Sequence, residues 1–262
     1  MKEDPPSRRH EKQEVGSRFA RAARRYDELA RHQAIAAQHL AAQIPKHFGS
    51  PRHVLELGCG TGLLTRHLVA RYPAATFSVV DLASAMLEAC RGQCLRVTDH
   101  AVEADAETWW PEAPVDAVVS SCSIQWFHDP EIWMAATRQR LAPQGWMALV
   151  FPIAGTLREF AECAPAGTPL LPMPAAEIWE ERFRRVPWRS LGTVSETVTL
   201  LYPSALDILR ALHGIGATCA APGAAALRPG TLRKLANDYD ARFRTPEGVP
   251  CTYELLYVFA QI

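Results

Sequence analysis

Residues 53–62 read His-Val-Leu-Glu-Leu-Gly-Cys-Gly-Thr-Gly, and the reading of the whole chain turns on them. The apolar run 53–57 has the length of a buried strand, glycines follow at 58, 60 and 62, and 63–71 carries helical spacing. A glycine-rich turn between strand and helix lets the backbone come close to a ligand, and the helix that follows aims its free N–H groups at it.

Working outward, 76–80 is β-branched and aromatic and ends in Asp81, and 84–91 reads as helix. A weaker strand is expected over 96–102 and a clear one over 115–119. A helix over 130–141 has Pro130 at its first position, and 146–151 is a further apolar strand. Strands alternating with short helices predict βαβ crossovers and a parallel sheet covered on both faces. After Pro152 the alternation breaks. Prolines at 165, 169, 172 and 174 punctuate a loop, followed by a helix over 175–185, a strand over 194–201, a helix over 205–213 and a closing strand over 251–260. The two late strands read as antiparallel additions to the sheet.

Ahead of the core, 1–14 is polar and is expected to fray. Val15, Phe19, Ala22, Tyr26 and Ala30 then fall on one helical face, and an alanine-rich helix over 33–43 stops near Pro45 and Gly49. The expected division is a helical lid over 1–49, an α/β core over 50–153, a cap with a late strand and acceptor-side helices over 154–250, and a closing strand over 251–262. No fixed-period repeat is present.

Composition excludes several classes. Of the 262 residues 48 % are hydrophobic and 21 % charged, which rules out disordered, collagenous and coiled-coil chains. Lys+Arg and Asp+Glu both number 28, so the chain lacks the basic excess of a protein built to neutralise a phosphate backbone. No apolar run reaches the roughly 18–20 residues of a bilayer helix, and the first residues carry no apolar signal core. The seven cysteines form no CxxC pair and no zinc spacing, and an odd number fits a disulfide framework poorly. The expectation is a cytoplasmic protein without a metal, a nucleic-acid partner or a membrane.

Two ligand classes use a glycine turn of this kind. A dinucleotide fold wants G-x-G-x-x-G, which would put its third glycine where this chain has Leu63. Here an acid, Glu56, instead precedes the first of three alternating glycines. The pattern resembles the E/D-x-G-x-G-x-G of class I S-adenosylmethionine-dependent methyltransferases. That resemblance implies a Rossmann-like α/β fold: a mostly parallel seven-stranded sheet with helices on both faces and helical insertions. It implies S-adenosyl-L-methionine as cofactor, with the backbone of Gly58, Cys59, Gly60 and Gly62 against it. Glu56 would face its amino-acid end, Asp81 both ribose hydroxyls, and Asp105-Ala106 the adenine amine. Leu82 and Met86 would line the adenine pocket, unless Met86 is ordinary core, and Ser121 would stand at the fourth strand tip. Three acids at three strand ends lie along the carboxyl edge of the sheet, where open α/β folds bind ligands.

The fourth strand ends in Ser120-Ser121-Cys122-Ser123-Ile124-Gln125-Trp126 and lacks the Asn/Asp-Pro-Pro-aromatic tetrad of base-methylating enzymes. A closer resemblance covers nearly the whole chain from Lys12. Its carriers are the series Lys12, Phe19, Ala22-Ala23 and Tyr26-Asp27, the pair Gln125-Trp126, and the stretches 155–159 (Gly-Thr-Leu-Arg-Glu), 212–218 (Leu-His-Gly-Ile-Gly-Ala-Thr) and 250–254 (Pro-Cys-Thr-Tyr-Glu). Together they resemble the malonyl-acyl-carrier-protein O-methyltransferases of biotin synthesis. Cys251, where a leucine is usual, and the alanine- and proline-rich 219–229 are departures. The resemblance implies that the acceptor is the free carboxylate of a malonyl thioester on acyl carrier protein, and that the methyl ester primes pimeloyl synthesis.

That chemistry needs no general base, since a carboxylate is already ionised at neutral pH. It needs positioning and a water-poor pocket. Tyr26 and Phe19, seven residues apart, form either a lid over the methyl group or ordinary helix packing; Gln125 and Trp126 either border the acceptor or pack. Arg210, with Arg158 second, would hold the malonyl carboxylate if it is not merely solvated. His213 and His128 receive no role as bases. Arg182, Arg184, Arg185 and Arg189 form a basic cluster that either docks the acidic carrier protein or is a solvated face, as do Arg228, Arg233 and Lys234. A methyltransferase of another small molecule, a free polycarboxylate or a quinone-type acceptor, is the competing expectation. A non-enzymatic relative is disfavoured by the intact acids and glycines, and a nicotinamide oxidoreductase by the glycine spacing.

Overall fold

A computed structural model describes residues 6–94, 97, 100–165, 173–217 and 228–262, with side chains from residue 11 onward. Seven strands form one sheet in the order β3-β2-β1-β4-β5-β7-β6. β1 (His53–Leu57), β2 (Thr76–Asp81), β3 (Ala101–Glu103), β4 (Val115–Ser121) and β5 (Leu141–Pro152) run parallel. β7 (Val249–Gln261) lies antiparallel between β5 and β6 (Ser190–Tyr202), as the two late strands predict. β3 spans only the end of the expected 96–102 strand. β6 is longer than expected, because β7 pairs with it from Ser190 to Tyr202.

The strand pattern shows why both faces are covered. Val54, Ala117, Val119, Ala148 and Val150 point into one apolar layer, and Leu55, Leu57, Val118, Met147, Leu149 and Phe151 into the other. The first layer is closed by Ala36, Ala37, Leu40 and Ile44 of α3 (Arg31–His47) and by Leu68 of α4 (Thr65–Arg71). The second is closed by Trp133 and Met134 of α6 (Pro130–Arg140) and by Trp179 and Phe183 of α8 (Ala176–Arg184). α3 therefore belongs to the core and not to the lid, because its alanines let it lie close against β5 and β7.

The lid proper is α1 (Pro6–Ala22), a 3-10 turn over Ala23–Arg25 and α2 (Tyr26–Leu29). The expectation of fraying through residue 14 is corrected: α1 starts at Pro6, and Lys12 is buried in ion pairs with Asp105 and Glu107. Phe19 and Tyr26 do not share one helix either; the 3-10 turn separates them, yet their rings meet edge to face at 6.3 Å. The lid seats on α9 (Ala205–Gly214) and the residues after it through two glycines. A side chain at Gly214 would strike Leu29, and Gly216, with φ +77°, lets the α1 backbone at Arg18 come close. The 212–218 stretch thus works as a seat for the lid; Thr218 and most of 219–229 lie outside the described residues. α5 (Ser84–Gln93), α7 (Arg158–Cys163) and α10 (Pro229–Phe243) complete the layers. Among the described residues no helix is long and apolar enough to cross a membrane, and no group of three or more His, Cys, Asp or Glu could hold a metal ion.

Candidate active site

Gly58 (φ +63°) and Gly60 (φ +55°) turn the chain sharply after β1, a backbone state only glycine adopts without strain. The turn is tied to the next strand: Gly58 N–H donates to Val80 O at 2.8 Å, and Gly60 N–H to Asp81 Oδ2 at 2.9 Å. Asp81 Oδ1 accepts from Ala83 N–H at 2.9 Å, so each carboxylate oxygen already holds one backbone bond, where the sequence predicts a free acid; each oxygen can still accept a second bond. Burial raises the Asp81 carboxyl above its ordinary range, against the lowering effect of these backbone bonds.

Around this turn lie two joined compartments. One is lined by Lys12, Val15, Gly16, Phe19, Gly58, Asp81, Leu82, Asp105, Ala106 and Phe127, and includes the residues expected at the adenosine end. The other is lined by Glu56, Gly58, Cys59, Gly60, Thr61, Met86, Ser121 and Cys122. The expected contacts are therefore brought together, with two corrections. Met86 lines the glycine-turn compartment, not the adenine side, because its helix turns it under Cys59 and Leu63. Gly62 does not face the cleft: a side chain there would press on Cys90 and Cys94 of α5, so it serves helix packing.

Glu56 is the sharpest feature. It is 2 % exposed, and its Oε2 has no partner in the protein. Burial pushes its carboxyl up to about 8, partly opposed by bonds to Thr65. A buried carboxylate without a counter-charge is costly, and an ammonium entering beside it satisfies it. That orphaned acid, the ribose-side Asp81 and the adenine-side Asp105 fit the three polar ends of S-adenosylmethionine.

A third compartment, lined among others by Phe19, Tyr26, His32, Gln33, Cys122 and Trp126, opens on the far side of these aromatics. Phe19, Tyr26, Gln33, Cys122 and Trp126 line both it and the glycine-turn compartment, so they form the junction between them. Phe19 packs edge to face on Trp126 at 6.0 Å. Burial holds the Tyr26 phenol protonated, well above its ordinary range. His32 stacks on Tyr253 at 3.8 Å, and burial pushes it down to about 3, so it is neutral. Cys122 (φ +55°) and Leu157 (φ +58°) both line this compartment in left-handed conformations that cost non-glycine residues energy. Such conformations persist where the surroundings impose them, often at functional sites.

The 250–254 stretch acquires a physical reading. Thr252 Oγ1 bonds to the buried Glu159, Tyr253 stacks on His32, and Glu254 accepts from Arg158 at 3.0 Å and from Thr197 at 2.8 Å. Arg158 is thus paired and half-exposed at the rim, outside the lining of the acceptor compartment. Arg210 is further from the expectation: it is exposed on α9 and paired with Asp207 at 2.9 Å. Three of the four arginines of the expected docking cluster are ion-paired. Arg182 and Arg185 pair with Glu131, Arg184 with Glu180, and Arg185 also with Glu181. Arg189 N–H donates to Gln261 O, and β6, β7 and β5 meet there at the start of β5, the sheet edge opposite the cleft. Arg182, Arg184 and Arg185 are therefore each paired with a carboxylate. Lys234 pairs with Asp238.

Sequence reading missed Lys12 as a cleft residue, and missed Asp27, His32 and Gln33. Asp27 accepts from Thr61 Oγ1 at 2.5 Å and from Gln93 Nε2 at 3.0 Å, latching the lid to the glycine turn. No local spacing marks these residues, because Ala30 (φ -79°, ψ 49°) interrupts the helical period between Tyr26 of α2 and Gln33 of α3.

Residues 54–145 match the family model described as a methyltransferase domain. The chain is 30 % identical over 263 residues to the malonyl-[acyl-carrier protein] O-methyltransferase of Alcanivorax borkumensis, covering 98 % of this chain and 89 % of that protein. It is 31 % identical to the protein of the same name from Halorhodospira halophila, covering 91 % and 84 %. The crystal structure of the YcgJ protein of Bacillus subtilis superposes with a TM-score of 0.59 at 13 % identity, over 86 % of this chain and 97 % of that one, which shows the fold. With the acid, the glycine turn and the strand-tip carboxylates where a class I methyltransferase needs them, and with this likeness running almost end to end, the chain belongs to the malonyl-[acyl-carrier protein] O-methyltransferase family.

Proposed function

We propose that this chain transfers a methyl group from S-adenosylmethionine to the free carboxylate of malonyl-acyl carrier protein, giving the methyl ester that primes pimeloyl synthesis for biotin. The observation that carries this reading is the aromatic junction. Phe19, Tyr26 and Trp126 separate a cleft built for a cationic, ribose-bearing ligand from a second compartment reaching the same residues.

S-adenosylmethionine, when bound, supplies an electrophilic methyl group on a sulfonium. The rest falls to the chain. Glu56 balances the ammonium of the amino-acid end, Asp81 accepts from the ribose, and Asp105 with Ala106 bounds the adenine. Phe19, Tyr26 and Trp126 exclude water at the junction, which favours a reaction in which charges cancel. No side chain has to remove a proton, because the acceptor carboxylate is already ionised. The neutral His32 and protonated Tyr26 agree with a site that positions and excludes water without acid–base work.

The six described cysteines are all free thiols, which supports a reducing, cytoplasmic setting. The test is mass spectrometry of malonyl-acyl carrier protein incubated with the enzyme and S-adenosylmethionine, with acetyl-acyl carrier protein alongside. A gain of one CH₂ confined to the malonyl form is expected; no gain on either form, with S-adenosylmethionine still bound, defeats the choice of acceptor.

A further inference from the structure

We infer that the acceptor carboxylate is held by neutral donors, the Trp126 indole N–H and the Gln33 amide, in a compartment whose described lining contains no cationic side chain. The inference rests on the preceding reading that the acceptor is a carboxylate, and it replaces the arginine that carboxylate recognition suggests from sequence alone.

The compartment is lined by aromatic, aliphatic and uncharged polar residues, with no lysine or arginine among the described ones. The two stretches flanking its described lining, 166–172 (Ala-Gly-Thr-Pro-Leu-Leu-Pro) and 218–227 (Thr-Cys-Ala-Ala-Pro-Gly-Ala-Ala-Ala-Leu), contain no charged residue at all. Of the two arginines proposed for the task, Arg158 is spent on Glu254 and Arg210 on Asp207.

Two residues at the junction, by contrast, each keep a buried polar atom without a partner. Trp126 Nε1 is buried and has no partner, and Gln33, 6 % exposed, has an unpartnered Oε1. Both residues line the acceptor and the glycine-turn compartments alike. Gln33 already bonds to the Tyr26 hydroxyl. Exchanging the ends of the amide lets that hydroxyl donate to Oε1 and turns the two amide N–H donors toward the compartment. Both side chains border the junction, where a carboxylate must sit to meet a methyl group. Leaving such groups buried and unpaired is costly, which is the reason to expect a ligand on them.

Neutral donors also suit the chemistry better than a guanidinium. An arginine would stabilise the full negative charge of the reactant and lose that interaction as the charge cancels, so it would hold the ground state more tightly than the transition state. Trp126 and Gln33 can orient the oxygen without that penalty. A buried carboxylate still needs a counter-charge. Since the described lining supplies none, the acceptor site is complete only when the neighbouring compartment holds a cation. Acceptor affinity must then follow the charge of the molecule in the cofactor cleft.

The test compares binding of malonyl-acyl carrier protein to the intact enzyme loaded with S-adenosylhomocysteine, a neutral thioether, or with sinefungin, which carries an ammonium in place of the methylsulfonium. Neither complex reacts, so calorimetry reads binding alone. Affinity about tenfold or more tighter in the sinefungin complex is expected; equal affinity in the two overturns the inference. As a second arm, Trp126→Phe keeps the ring against Phe19 and removes only the N–H. It should raise KM for malonyl-acyl carrier protein by about tenfold, a larger effect than on cofactor affinity, with the melting temperature near that of the unaltered enzyme. An unchanged KM also overturns it. Failure of the unaltered enzyme to methylate the malonyl form would remove the preceding reading, whereas equal binding in an enzyme that does methylate removes this one alone.

Discussion

Lys12 Nζ of α1 donates to Asp105 Oδ2 across 2.5 Å, joining the first helix of the chain to the acid at the adenosine end of the cleft. The same ammonium reaches Glu107, whose carboxylate accepts from the backbone N–H groups of His128 and Asp129. Burial alone would lower the Lys12 ammonium; its bonds to Asp105 and Glu107 outweigh this and raise it. The acid after β3 and helix α1 are therefore one network.

Lys12→Met should release α1. Removing one partner of a buried pair leaves two carboxylates uncompensated, at a cost of about 3 kcal/mol. Calorimetry should show S-adenosylmethionine affinity lowered by at least about tenfold, and limited trypsin digestion should cut faster at Arg21 and Arg24. Unchanged digestion would show that the lid is held elsewhere.

Glu56 makes cofactor binding pH-dependent. Its folded carboxyl titrates near 8, above the ordinary 4.5, so its contribution to stability is full below the ordinary value and is lost as pH rises through about 8. The unligated protein should lose melting temperature over that window. An ammonium selects the ionised carboxylate, so binding releases a proton below pH 8 and tightens by up to about tenfold per pH unit there. Titration calorimetry in buffers of different ionisation enthalpy reads the proton directly, and Glu56→Gln should abolish its release.

Gly58→Ala should fail at the glycine turn. The residue has φ +63°, and an added Cβ would overlap the Ser123 side chain. The left-handed backbone alone costs about 1–2 kcal/mol for a non-glycine residue, and the overlap adds to it. A lower denaturant midpoint together with weakened cofactor binding is the expected result. Gly60→Ala, where no atom lies within 4 Å, should cost only the backbone share.

Phe19→Ala should separate chemistry from binding. The ring touches Tyr26 and Trp126 and lines all three compartments, so its loss admits water and loosens the junction. Single-turnover rates on malonyl-acyl carrier protein should fall by about a hundredfold, with a much smaller change in cofactor affinity. Equal losses in both would place Phe19 in cofactor binding alone.

The cofactor half of the site was legible in the chain because each of its elements is local. A strand, a glycine turn and a helix follow one another within twenty residues, and Glu56, Asp81 and Asp105 mark successive strand ends whose order the βαβ rule imposes. Part of the acceptor compartment was legible as well, since Phe19, Tyr26, Gln125 and Trp126 all line it; which charges pair with which was not. Lys12 meets an acid 93 positions away, Arg158 meets Glu254 at a separation of 96, and Arg185 meets Glu131 at 54. Nothing in composition or periodicity distinguishes a buried, paired lysine from a solvated one, or an arginine facing a substrate from one paired with a carboxylate. Backbone preference and hydrophobic spacing act over a few residues and so determined the sheet, its helices and the glycine turn. Which charges are cancelled, and which polar groups are left buried without a partner, depends on distant segments packing together, and only the tertiary structure decided it.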